Sequence, residues 1–335
     1  MDRQPLVSIV TPCFNGEQFV HRLFESIMLQ TYHNIELIFV NDGSTDNTES
    51  VALSFRERLE QRGIRFIYCF QNNCGQASAI NTGLKYVSGE YITWPDSDDW
   101  LAETCIEVKV RELEEHTEWG LICCRSAVVS ENNIANTKCI LERKSKDSKH
   151  FFRDLLLEND AYFAAGAYLV RTEALFHVLQ DKHIFESKSG QNWQLLLPLT
   201  YSYECGFIDD VLYYILERNN SHSRAPKQYS ELIAQTYGHQ EILLETIKRM
   251  KISEAEHFYY SSLVIHKYIR KRYKLSIVEG NRIDQQSYYM DMKKNGLVDS
   301  AVRLDYYKRN CAPVYLLLRL IHLPVGFMKR IHKRM

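Results

Sequence analysis

Three carboxylates, Asp96, Asp98 and Asp99, fall within four positions directly after the apolar stretch Tyr91-Ile92-Thr93-Trp94-Pro95. Like charges this close repel and raise one another's pKa unless a cation compensates them. A hard, oxygen-ligated ion such as Mn²⁺ or Mg²⁺, itself holding a diphosphate, would do so. A solvated turn or a helix N-cap would also accommodate this run, since Asp is common in both. The loops that the rest of the chain sets beside it decide between these readings.

Those loops follow from an alternation of strand and helix. Residues 7–11 are a short apolar, β-branched run closed by Pro12, which reads as a buried strand ending at a turn. Phe19, Leu23 and Ile27, with Val20, Phe24 and Met28, then recur at the spacing of one helical face. Residues 35–40 predict a second strand, residues 64–70 a third and residues 91–94 a fourth, with a helix over 76–87. Asp46 and Glu49 have capping-box spacing for a further helix. This pattern implies an α/β fold with a mostly parallel central sheet flanked by helices, a Rossmann-like half whose ligand crevice lies at the carboxyl ends of the strands. Residues 121–129 predict another strand, and the polar stretch 131–150 a loop or lid over the crevice. From Tyr229 onward helical periodicity dominates, so the expected organisation is an α/β domain over 1–225 and a mainly helical region over 226–335.

The bulk properties set limits. At 335 residues and 45% hydrophobic content the chain can bury a substantial core. A formal charge of −1 argues against whole-surface attraction to nucleic acid, and the aromatic and basic residues form no recognisable RNA or DNA module. Nine irregularly placed cysteines, with no C-x-x-C pair, read as reduced thiols and point to the cytoplasm. The start of the chain shows no signal-peptide pattern, and no run reaches the roughly 18 apolar residues that a membrane-spanning helix needs.

Four segments in order carry a resemblance. They are Val7-Ser8-Ile9-Val10-Thr11-Pro12-Cys13-Phe14-Asn15, Val40-Asn41-Asp42-Gly43-Ser44-Thr45-Asp46, Asn73-Cys74-Gly75-Gln76 with Ala79-Ile80-Asn81-Thr82-Gly83, and Gly89-Glu90-Tyr91-Ile92 leading into Asp96-Ser97-Asp98-Asp99. Over roughly the first 225 residues the chain resembles the inverting glycosyltransferases of family 2, with the GT-A fold and a nucleotide-sugar donor. The resemblance implies that the Pro12 backbone lies along the nucleobase and that Asp42 accepts from the base imide N–H. A carboxylate there suits uracil, hence a UDP-sugar. Phe14, Asn15, Gly75, Gln76 and Ser97 would complete the donor site, with Asn81 either structural or lining it. Gly75 and Gly83 would permit close backbone approach or simply punctuate the helix. Asp98 would be the direct metal ligand, Asp96 would sit nearer the ribose or a metal-bound water, and Asp99 would support both. His222 is a candidate third ligand or else a loop histidine bonded to backbone, and Arg218 or Arg224 would face the diphosphate or solvent.

Two departures from the family pattern follow. Ile80 stands where many relatives carry Arg. More consequentially, Asn192, in Ser189-Gly190-Gln191-Asn192-Trp193, stands where the family has the Asp that takes the acceptor proton, and an amide is no general base at neutral pH. Either Glu186 substitutes, or Gln191 and Asn192 orient the acceptor while another group takes the proton, or transfer is weak; the second reading is preferred. Simple helix capping by Gln191 and Asn192 is the structural alternative. The resemblance implies a metal-dependent (Mn²⁺ or Mg²⁺) inverting transfer from a UDP-sugar to a glycan or lipid-linked acceptor, in bacterial capsule, cell-wall or lipopolysaccharide synthesis. A catalytically impaired nucleotide-sugar-binding protein and a sugar-phosphate nucleotidyltransferase are the rival readings. Residues 314–335 are basic and apolar, and either lie on an anionic membrane at the inner face of the cell membrane or dock their leucines on the protein.

Overall fold

The structure, a computed structural model, describes residues 4–146, 151–160, 163–179, 181–187, 190–218, 227–311 and 313–315. It divides into two compact units, Met1–Pro226 with Glu241–Tyr260, and Lys227–Gln240 with the residues from Ser261 onward.

The first unit opens with strand β1 (Val7–Cys13), every residue of which is buried. Helix α1 (Val20–Met28) follows, its Val20, Leu23, Phe24 and Ile27 turned inward as the periodicity predicts. Then come β2 (Ile35–Asp42), the short helices α2 (Thr48–Ser54) and α3 (Arg56–Gln61), β3 (Arg65–Gln71), α4 (Gln76–Leu84) and β4 (Tyr91–Thr93). β1 lies between β2 and β4 and is parallel to both, and β2 continues in parallel to β3. β1 runs on through Pro12, which stands opposite Val40. On its other side the ladder ends at Ile9 opposite Thr93, so the missing proline N–H costs no bond there. Gly83 is a packing glycine: a Cβ there would lie 2.4 Å from Val10 Cγ1, so α4 rests directly on β1. At the opposite end of these strands Glu36 is fully buried and accepts from Ser8 Oγ (2.5 Å), Ser88 N (2.8 Å) and Ser88 Oγ (2.8 Å). A buried carboxylate is tolerable only with such donors around it.

Beyond β4 the sheet becomes mixed. The elements are β5 (Trp100–Leu101), α5 (Cys105–Glu115), β6 (Trp119–Ser130), β7 (Asn133–Leu141), α6 (Phe151–Leu157), β8 (Tyr168–Arg171), α7 (Thr172–Val178), α8 (Gln191–Ser202) and β9 (Glu204–Glu217). Among the described residues nine strands form one sheet in the order β3-β2-β1-β4-β8-β6-β9-β5, with β7 paired to β6. The stretch 131–150, expected as a loop, is corrected here: much of it is β7, antiparallel to β6. Its exposed face hides the hydrophobic alternation that marks a half-buried strand. The capping box also differs, since Asn47 caps α2 while Asp46 accepts from Thr48 N (3.0 Å).

The second unit is helical. It contains parts of α9 (Tyr229–Arg249) and α10 (Glu254–Glu279), then α11 (Arg282–Lys294) and α12 (Ser300–Asn310). Its core gathers Ile269, Tyr273, Tyr288, Tyr289, Met292 and Tyr306, with Tyr289 stacked on Tyr306 at 3.7 Å.

Candidate active site

The carboxyl ends of β1, β2 and β4 open onto a cavity of about 530 Å³. Pro12, Phe14, Asn15, Asp42, Gln76, Asp96, Ser97, Asp98, Gln191 and Asn192 all line it, which brings together most of the residues singled out in the sequence.

The loop after β1 is sewn to the loop after β2. Asn15 adopts a left-handed backbone (φ 51°), donates its N–H to Ser44 Oγ (2.9 Å) and accepts from Thr45 N at its side-chain oxygen (2.8 Å). Gly16 N donates to Thr48 Oγ1 (2.8 Å) and Glu17 N to Asp46 Oδ2 (3.1 Å). Burial would raise the Asp46 carboxyl, but hydrogen bonds from Thr48 and the Glu17 N–H outweigh it and hold it below its ordinary value. Asn15 therefore ties two loops together as well as facing the cavity.

Asp42, 3% exposed at the end of β2, organises the next loop. Its carboxylate accepts from Gln71 Nε2 (2.7 Å), Cys74 N (3.0 Å) and Gly75 N (2.9 Å). Gly75, at φ 90°, makes the left-handed turn that aims these amides at Asp42 and opens α4. The next residue, Gln76, donates Nε2 to Asp96 Oδ1 (2.7 Å). Two aspartates from separate strand ends are thus connected through one loop.

The acidic run is a tight turn, with Asp99 N donating to Asp96 O (3.2 Å). Asp99 also borders the cavity but is buried and committed to structure: it accepts from Tyr213 Oη (2.6 Å) and Leu216 N (2.8 Å). The Tyr213 hydroxyl in turn accepts from Asp96 N (3.2 Å), so β9 braces the turn from behind. Asp96 and Asp98 face the cavity. Burial, reinforced by the Asp98 charge, pushes the Asp96 carboxyl up to about 7. Burial likewise raises Asp98, against the pull of Arg218. Asp99 stands well above its ordinary value, through burial and then the charges of Asp98 and Asp96. Arg218 supplies the compensating cation, with Nε 3.0 Å from Asp98 Oδ2 and its guanidinium 4.9 Å from the Phe19 ring centroid. Two carboxylates short of charge compensation, offering oxygen donors to a cavity, fit a hard divalent ion that also takes phosphate oxygens and water. Among the described residues no cluster of three His, Cys, Asp or Glu side chains forms a complete ligand set. His222 and Arg224 lie outside the described residues.

The facing wall comes from α8, which begins after Gly190 (φ 79°). Asn192 Oδ1 accepts from Trp94 Nε1 (2.9 Å), and since an indole N–H can only donate, this bond fixes the amide orientation. The NH₂ group, 3.5 Å from Phe163 O, is then the donor that Asn192 offers. Phe163, Ala164, Leu141 and Leu216 also line the cavity.

Other expected residues lie elsewhere. Asn81 is buried, with Nδ2 donating to Ile184 O (2.9 Å) and Oδ1 accepting from Ile184 N (2.8 Å), so its role is structural. Gly75 acts through Asp42 and is absent from the cavity lining. Glu186 is half-exposed, paired with His183 at 3.6 Å, and does not line the cavity, which argues against its substituting as the base. Gly16, Phe163 and Leu216 line the cavity as well, and no local pattern in the sequence marks them.

A sequence profile described as Glycosyl transferase family 2 matches residues 8–178. The chain belongs to glycosyltransferase family 2. Glycosyltransferase GlyA of Streptococcus pneumoniae is 37% identical over 110 residues, 33% of this chain and 15% of that protein. An uncharacterized glycosyltransferase of Rickettsia bellii is 37% identical over 210 residues, 62% of this chain and 26% of its own length. These matches thus span well under two thirds of the curated relatives. In fold, this family 2 glycosyltransferase is similar to S. aureus TarS 1–349 in complex with UDP-GlcNAc, with TM-score 0.64, 18% identity and 91% and 87% of the two chains covered. The mannosyltransferase PcManGT of Pyrobaculum calidifontis, in complex with GDP-Man and Mn²⁺, matches at TM-score 0.51 and 15% identity, covering 96% and 87%. The α/β sheet with its helical C-terminal region is therefore a GT-A fold.

Proposed function

We propose that this glycosyltransferase transfers a sugar from a UDP-sugar to a glycan or lipid-linked acceptor, with inversion at the anomeric carbon and dependence on Mn²⁺ or Mg²⁺. The observation that carries the reading is the convergence of Asp42, Asp96 and Asp98 on one cavity at the carboxyl ends of β2 and β4. The TarS structures in complex with UDP-GlcNAc and with UDP support the choice of donor. The likeness to bacterial glycosyltransferases supports a setting in surface-polysaccharide assembly on the cytoplasmic side of a membrane, and among the described residues no helix is long and apolar enough to cross one. The expected contact of residues 314–335 with a membrane lies almost wholly outside the described residues.

Each side chain has a part in this reading. Asp42 accepts from the uracil imide N–H with a lone pair left over from its loop bonds, beside Pro12 and Phe14. Asp98 and Asp96 would hold the metal, which when bound supplies charge neutralisation for the departing diphosphate. Arg218, beside Asp98 on the cavity, would contact phosphate oxygens of the donor. Asn192, its oxygen occupied by Trp94, would donate from its NH₂ and orient the attacking hydroxyl, whose proton another group takes as the new bond to the anomeric carbon forms and UDP leaves. Bringing donor and acceptor together in this way is itself worth a large part of a transfer barrier.

Thermal-shift titration with UDP and a panel of nucleotide sugars, with and without Mn²⁺, tests the reading. Stabilisation by UDP that needs the metal, and is lost in Asp98→Ala, is the expected result. Equal response to GDP, or a UDP response indifferent to chelator and to Asp98→Ala, would overturn it.

A further inference from the structure

The second unit is charged against the trend of the chain. Between residues 261 and 315 there are eleven Lys and Arg but five Asp and Glu, a formal +6 in a protein whose net charge is −1. α10 and α11 form a hairpin at Gly280 (φ 77°), held by Asn281 N donating to Ser276 O (3.1 Å) and Gln285 Nε2 to Ser276 O (3.1 Å). One face of α11, with Gln285, Tyr288, Tyr289 and Met292, is buried in the unit's aromatic core. The other presents Arg282, Ile283, Gln286, Ser287, Met290, Lys293 and Lys294, all exposed and none acidic.

The exposed apolar groups are substantial. Ile283 is 80% exposed, Met290 50%, and Val278 at the hairpin tip 87%. The acids of α11 are drawn back: Asp284 accepts from Tyr229 Oη (2.6 Å) and Asp291 is half-buried. Glu279 remains exposed at the tip, beside Arg282. A helix that turns aliphatic groups and cations outward together suits a surface that is anionic at its headgroups and apolar just beneath. A soluble polyanion would use the cations and leave Val278, Ile283 and Met290 in water, whereas a bilayer takes both.

We infer that the outer face of α11, with Val278 at the end of α10, is a docking surface for an anionic lipid bilayer. This goes beyond the expectation for the tail, which concerns other residues, and holds whatever donor the enzyme uses. Flotation of the full chain with vesicles of equal parts phosphatidylcholine and phosphatidylglycerol, against phosphatidylcholine alone, tests it. Binding should require the anionic lipid and weaken with salt. Val278→Ser with Ile283→Ser should weaken it about a hundredfold, the loss of two inserted side chains, and Lys293→Gln with Lys294→Gln about thirtyfold. Both pairs should keep the wild-type melting temperature. The inference is overturned if the wild-type chain does not float. It is overturned equally if the serine pair floats as well as wild type, which would assign binding to charge alone or to the tail, or if the face proves to hold two copies of the chain together in light scattering.

Discussion

Replacing Asp42 by Asn exchanges one carboxylate oxygen for an NH₂ and removes the charge with almost no change of shape, yet it should be felt at two sites. The carboxylate receives three N–H donors, from Gln71, Cys74 and Gly75. An asparagine oxygen can keep two of them, but its NH₂ must then face the third donor across about 2.9 Å. One charge-assisted bond is lost and one buried amide is left without an acceptor, which together cost about 2–4 kcal/mol. The loop so loosened ends in Gln76, whose amide holds Asp96. Urea unfolding should therefore shift to lower midpoint, and calorimetric titration with UDP and Mn²⁺ should show affinity falling more than tenfold, because base contact and acidic corner are disturbed together. Asp42→Asn with wild-type midpoint and wild-type UDP affinity would refute both the hub role and the uracil contact.

Further outcomes follow from neighbouring geometry. Tyr213→Phe deletes the hydroxyl that bridges Asp99 and the Asp96 amide, so it should destabilise by about 2 kcal/mol in the same unfolding assay and weaken metal-dependent UDP binding. Gly83→Ala forces a methyl against Val10 Cγ1 and should cost about 1–3 kcal/mol, part of it recovered by adding Val10→Ala. Asn192→Ala leaves the buried Trp94 indole N–H without its acceptor and should lower the melting temperature, whereas Asn192→Asp keeps an oxygen there and should melt near wild type. Arg218→Met should leave the fold intact and lower transfer more than UDP-free stability, since the pair it breaks is partly solvated.

The half of the molecule written in local pattern was legible in advance. β1, β2, β3 and α4 each carry their own periodicity, so the sequence pattern alone places the loops at their ends, and with them Asp42, Gln76 and Asp96, on one edge of the sheet. Legibility stops where structure depends on distant partners. β7 shows no alternation because its pairing with β6 defines it and its side chains stay in water. Tyr213 and Leu216 reach Asp99 because β5, which starts at the next residue, pairs antiparallel with β9, a pairing across more than a hundred positions that no local signal announces. Asn81, which the sequence leaves as either structural or donor-lining, holds the backbone at Ile184. Residue types and spacing narrow the chemistry; only the three-dimensional arrangement separates a side chain that meets ligand from one that props up its neighbour.

The stitching of residues 15–17 to residues 44–48 leaves the nucleotide end of the cavity with a single moving part where the chain trace suggests two. A guest that presses on Phe14 also tugs on the turn behind Asp42. Under the proposed reading, substitutions that break either side of that seam should alter donor binding alike.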